Sequence, residues 1–218
     1  MDRPTQERPT RGKVHSMESI PPEDLRQQHA SEAVAWISGL PGDTFLSHWS
    51  SAIVCGLPTL DVPARLMATR PPRRRAFRDD RHNILRAALR ARDVTTIEPA
   101  RVTSGARTAV DLARWVSFEG AMITADAALR ARLTTRVRLE DVLRHQWVWP
   151  RIRRAVPVVR YASPLSESPL ESYIRARIIR LRLPMPRQQV SFGMTNGQGR
   201  ASTSTGTSRG SSARLMDS

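Results

Sequence analysis

Residues 103–132, TSGARTAVDLARWVSFEGAMITADAALRAR, constrain the fold of this chain more than any other stretch. Ala106, Ala109, Val110, Ala113 and Trp115 recur at helical spacing and make a mostly small apolar face, which lets a neighbouring element approach closely. Ser104 is a side-chain cap for this first helix. Ser117 caps a second, with Glu119 placed favourably in its first turn and Phe118, Ala121, Met122, Ala125, Ala128 and Leu129 as its inner stripe. Two consecutive helices of this kind need other elements to pack on, so the flanking sequence has to supply them.

Upstream, helix is expected from Glu23 to Ser38, stopped by Gly39, Pro41 and Gly42. A short helix over His48–Cys55 follows, capped by Ser47 and ended by Gly56 in a left-handed conformation before Pro58. Arg65–Thr69 and Asn83–Leu89 read as strands. Val94–Ile97 and Ala100–Val102 read as a hairpin turning near Glu98 and Pro99. Downstream, Thr135 opens a helix with Leu139, Val142 and Leu143 inward. Another covers Trp149–Arg160, where Pro157 is expected to kink or end it.

The segment Ser168–Leu183 begins with a capping box, Ser168 and Glu171, with Pro169 at the first helical position. Leu170, Ile174, Ile178 and Leu181 then recur at helical spacing, while Arg175, Arg177, Arg180 and Arg182 share the other face. Gln188–Phe192 reads as the start of a strand. Residues 1–27 lack apolar periodicity, with disorder expected up to about Pro22, and the Ser-, Thr-, Gly- and Arg-rich residues 193–218 have too little apolar content to build a core and are expected to be disordered. The resulting expectation is an α+β fold: a small mixed sheet region, a helical centre, then one further helix and a polar tail.

Charge separates the functional classes. The net charge is +15 and the sequence pI about 11.6, a field that attracts polyanions. Lys13 is the single lysine; all other basic residues are Arg, a bias that GC-rich coding DNA also produces. Arg73, Arg74, Arg75, Arg78 and Arg81 crowd the loop TRPPRRRAFRDDR and are the candidate nucleic-acid contacts, since guanidiniums on a loop between strands can follow a phosphate backbone. The plain alternative is a solvated loop, and Phe77 is the only aromatic there. Cys55 is the single cysteine and permits no internal disulfide. His29, His48, His82 and His145 lack paired metal-ligand spacing. Asp111 and Asp126 are expected to pair with Arg107, Arg114 or Arg130. Neither a glycine-rich phosphate loop nor a serine elbow is present. No apolar run approaches a membrane span and no signal-peptide core is seen, so a cytoplasmic location is expected by default.

Four motifs stand in order: SHWSSAIVCGLP at 47–58, VTSGARTAVDLAR at 102–114, ADAALRARL at 125–133 and SPLES at 168–172. In these the chain resembles the AbiEi-type antitoxin-domain proteins of actinobacteria, many of which carry a C-terminal very-short-patch-repair-endonuclease-like module. The resemblance implies an antitoxin-like domain over 28–163 and a nuclease-like remnant over 164–192. It also implies a transcriptional-regulator or antitoxin role, with DNA or a nucleotidyltransferase-like toxin as partner. Two departures matter. The winged helix-turn-helix with which such proteins usually begin is not found in residues 1–45, which hold one helix at most. The acidic strands that would hold Mg²⁺ are missing as well, because after Glu171 the only carboxylate side chain is Asp217. With one choice of codons, Ala201–Ser208 reads in a shifted frame as VDFYWDE, and Arg209–Asp217 continues it as GVVGEADG. A frameshift near Ser191–Gly193 is therefore expected, and resequencing the locus is its test. No catalytic residue, metal ligand or cofactor is assigned; the competing readings are a metal-dependent DNA endonuclease and a degenerate product.

Overall fold

A computed structural model describes residues 21–184. The readings for residues 1–20, for Gln188–Phe192 and for the tail with its frameshift lie outside the described residues. The described chain is α+β, with seven α-helices and a six-stranded mixed sheet.

Helix α1 (Glu23–Ser38) carries Glu23 and Asp24 in its first turn and buries His29, Ala33 and Ile37, three residues four apart. The sheet holds β1 (Phe45–Leu46), β2 (Leu66–Arg70), β3 (Phe77–Arg78), β4 (His82–Arg86), β5 (Val94–Ile97) and β6 (Ala100–Thr103), in the order β3-β4-β2-β1-β6-β5. The pairs β1–β6 and β2–β4 are parallel and the other three antiparallel. The expected hairpin is β5–β6, which turns through a cis Glu98–Pro99 bond. Strand β3 was not expected: two residues of the basic loop pair with β4, Phe77 opposite Ile84. Helix α1 lies against β2 and β6 and beside α2 (His48–Val54). Its Ala33 and Ile37 pack with Leu46, Leu66, Ala100 and Val102. Arg101, on β6, donates to the carbonyls of Ile37 (2.7 Å), Leu40 (2.9 Å) and Thr44 (3.2 Å), satisfying acceptors that the end of α1 leaves open. Gly56, at φ +70°, closes α2 as expected, with Leu57 N–H donating to Ala52 O at 2.8 Å.

Helices α3 (Gly105–Trp115), α4 (Phe118–Arg130), α5 (Arg136–His145), α6 (Ala155–Tyr161) and α7 (Pro169–Arg180) form the second layer. The side chains of Ser104, Ser117, Thr135 and Ser168 each accept from a backbone N–H three residues on, so four of the five expected caps are made; Ser47 stands at the N-cap of α2 without a side-chain cap bond, because its Oγ is taken by Thr69 and His48. The alanine faces of α3 and α4 meet in one core with Leu139, Val142, Val158, Val159 and Ala176. Trp115, expected on that face, sits at the end of α3 and is 40% exposed. Pro157 does not kink a long helix: a 3-10 turn over Ile152–Arg154 precedes α6, and Pro157 falls in the first turn of α6, where no intrahelical N–H is needed. Close approach leaves no room at Gly105, where a Cβ would lie 2.7 Å from the Leu133 carbonyl oxygen. Gly105→Ala is expected to cost about 1–3 kcal/mol, read as a lower urea midpoint with an unchanged slope.

Helix α7 packs on α4 in the same compact unit as the other described residues, through a face that sets Ser172 and Arg175 beside Ala176 and Ile179. Ser172, Arg175 and Ala176 are buried, whereas Leu170, Ile174 and Leu181 are exposed. The reason lies on α4. Asp126 is fully buried there, and a buried carboxylate requires a charged partner. Arg175 supplies it at 2.5 Å, not Arg130, which donates to the Ser166 carbonyl instead. Arg180 and Arg177 reach Glu119 at 2.9 and 3.6 Å.

Candidate nucleic-acid interface

The basic loop joins β2 to β4 and contains β3. Asp79 shapes its second turn, its Oδ1 accepting from the N–H groups of Arg81 (2.8 Å) and His82 (2.6 Å). The His82 ring stacks on Trp36 of α1, with centroids 4.7 Å apart, which fixes the turn end of the β3–β4 hairpin to the first layer. The aspartate's carboxyl is held below its usual value, chiefly by its hydrogen bond to His82.

The five arginines separate into two groups. Arg73 and Arg74 share Asp43 at 3.0 and 3.2 Å, and Arg81 reaches Glu32 at 3.1 Å. Desolvation pushes the Asp43 carboxyl up, but Arg74 and Arg73 outweigh it and the net shift is downward. Arg75 and Arg78 have no ion pair with any described residue, and between them Phe77 is 46% exposed. Arg65, which sequence reasoning did not include, donates from Nε to the Asp79 carbonyl at 2.8 Å and adds its charge to the same edge. It lies fourteen positions from Asp79, so nothing local in the sequence marks it.

The other expected charge pairs are structural. Asp111 on α3 accepts from Arg107 Nε at 2.6 Å, Arg114 Nη1 at 3.1 Å and Gln146 Nε2 at 3.0 Å. Arg107 is itself buried, donates to Ala88 O at 3.0 Å and lies 3.7 Å from Asp93, which Arg90 grips at 2.8 Å. The guanidiniums of Arg107 and Arg114 both lie over the Trp149 ring, 4.8 and 5.2 Å from its centroid. Burial alone would raise the Asp111 carboxyl, but Arg107 leads the opposing influences and holds it below the usual range.

His48 adjoins this network. It opens α2 at φ +52°, donates to or accepts from Ser47 Oγ through Nδ1 at 3.0 Å, and meets Trp115 edge-on. Its Nε2 is buried with no hydrogen-bond partner. Burial lowers its pKa to about 4, Asp111 opposing and Arg107 and Arg114 reinforcing the shift, so the ring is neutral at pH 7. A positive φ on a non-glycine residue and a bare buried nitrogen are both costs, borne by the packing around them.

A cleft of about 450 Å³ lies at the opposite edge of the sheet, beside β5. Val94, Ile97, Leu133, Arg92, Arg132 and Arg138 contribute to its lining, and Arg132 and Arg138 have no ion pair with a described residue. The Ser104 N–H donates to Asp93 O at 2.8 Å. With the antiparallel register of β5 on β6, that bond turns the backbone groups of Val94 and Thr96 toward the open edge. Among the described residues no three His, Cys, Asp or Glu side chains converge as metal ligands, and no helix is long and apolar enough to cross a membrane. Comparison of the chain with protein-family models, curated proteins and solved structures returns no match.

Proposed function

We propose that the protein is a non-enzymatic nucleic-acid-binding protein of antitoxin or regulator type, with the β3–β4 hairpin as its contact surface. The observation that carries this reading is the outer strand of that hairpin, where an exposed Phe77 stands in sequence between two arginines, Arg75 and Arg78, that no carboxylate of the described residues neutralises. A ring offers a base a stacking face, and flanking guanidiniums offer phosphates their counter-charge. The charge of the fold supports it: residues 21–184 hold 27 Arg against 16 Asp and Glu, an excess of +11.

The test is fluorescence anisotropy with labelled DNA, single- and double-stranded, across a salt series. Removing two phosphate contacts in Arg75→Ala/Arg78→Ala is expected to reduce the slope of log affinity on log salt by about 1.8 for duplex. Phe77→Ala is expected to weaken single-strand binding by about 1–3 kcal/mol. An unchanged slope in the double variant refutes the assignment. Running the same samples with Mg²⁺ separates this reading from that of an endonuclease, since metal-stimulated cutting by the pure protein overturns the non-enzymatic part.

The cleft beside β5 favours a second reading, in which the partner is a protein such as a toxin. An edge strand with open backbone groups accepts an added strand, and Arg132 and Arg138 select one bearing acidic residues. Loss of a co-purifying partner from Arg132→Glu/Arg138→Glu, with DNA binding retained, would favour it over the first.

A further inference from the structure

Helix α7 has an apolar side that its fold does not use. Leu170, Ile174, Ile178 and Leu181 follow one another at intervals of four, four and three residues, and so form one strip along the helix. Leu170 is 39% exposed, Ile174 46% and Leu181 59%, and Ile178 is half-buried. Leu183 prolongs the row at 52%. Scattered exposed leucines are ordinary in a soluble protein, but a continuous row along one helix marks a contact surface.

The charges along this strip identify what fits it. Glu171, at the N-terminal end, is exposed and has no ion pair with a described residue. Arg182, expected on the opposite face, lies just past the C-terminal end of α7 at φ +55°, where helical spacing no longer applies, and is also exposed and without an ion pair among them. The strip therefore carries an acid at one end and a base at the other. Laid on a second copy running in the opposite direction, it places Ile174 against Ile178 of that copy and Glu171 against Arg182 of that copy. The two-fold axis makes each of these contacts occur twice. Parallel pairing sets Glu171 beside Glu171 and Arg182 beside Arg182, which is repulsive at both ends. Arg177, nearest the axis, is drawn toward Glu119 at 3.6 Å. We infer that the chain forms an antiparallel two-fold dimer through the outer face of α7. The inference is independent of the nucleic-acid reading, because the hairpin and α7 share no residue.

Sedimentation equilibrium of the full chain from roughly 1 to 100 µM tests it, a range suited to an interface at the small end of specific ones. A monomer–dimer equilibrium is expected. Ile174→Asp, at an exposed position, is expected to weaken it at least about tenfold while circular dichroism stays that of the parent. Arg182→Glu is expected to weaken it several-fold, and the charge-swapped Glu171→Arg/Arg182→Glu to recover affinity over Arg182→Glu alone. A monomer at every concentration overturns the inference, whether the strip is then open or covered by residues 185–218 of the same chain. A dimer indifferent to both Ile174→Asp and Arg182→Glu uses another surface and overturns it equally.

Discussion

Replacing Asp111 with alanine is expected to lower the unfolding free energy by about 3–5 kcal/mol, the cost of stranding a buried charge. Asp111 is fully buried, and three side chains donate to it: Arg107, Arg114 and Gln146. Arg107 is 1% exposed and has no route to water once the carboxylate is gone. Asp93, 3.7 Å away and already gripped by Arg90, is too distant and too occupied to replace it. The loss should spread, because Arg107 and Arg114 both cover Trp149 and Gln146 ends α5. Urea unfolding followed by tryptophan fluorescence measures the change. Asp111→Leu/Arg107→Leu, which removes both charges, should recover much of the stability lost by Asp111→Ala, since burying no charge is less costly than burying one unpaired. If the single variant loses under 1 kcal/mol, the buried network is not what holds α3 in place.

The second large effect concerns pH. His48 has a pKa of about 4 in the folded protein against 6.5 for the free ring, so the unfolded chain binds its proton more tightly. The stabilisation is complete above pH 6.5. It declines as the pH falls from there toward 4 and stops declining once both states are protonated. The full loss is about 3 kcal/mol at 1.36 kcal/mol per pH unit. His29, whose pKa burial also lowers, adds in the same direction. Asp93 and Asp111 have depressed pKa values, so their contribution is present above 3.8 and is lost in a separate, more acidic window. His48→Asn isolates the effect, because asparagine tolerates a positive φ and carries no proton to gain. Between pH 6.5 and 4.5 the variant should show a shallower stability profile than the parent. Parallel profiles would mean that His48 does not titrate as its burial requires.

Several elements of this fold are legible because their causes are local. Helix α1 occupies Glu23–Ser38, the span expected from Ala33, Val34 and Ile37 and from the glycines and proline behind them. Ser104, Ser117, Thr135 and Ser168 could be recognised as caps because a cap needs only a side-chain oxygen and an N–H three residues on. The hairpin around Glu98 and Pro99 is set by its own turn. The arginine cluster was legible as a run, but its division was not: Asp43 and Glu32, which neutralise three of the five, lie 30 to 49 positions away.

Sequence by itself determined most of the segments that become helix or strand, β1 and β3 excepted, and where most of the helices begin. Tertiary structure alone decided which face of α7 turns inward. Apolar periodicity points Leu170, Ile174, Ile178 and Leu181 at a core, yet α7 docks through Arg175, because Asp126, 49 positions earlier, is buried and requires a cation. The parallel pairs β1–β6 and β2–β4 depend likewise on partners that are not neighbours in the chain. Periodicity and capping act within one helical turn. The demand of a buried charge for its counterpart acts across space, and only the folded chain shows which residue meets it.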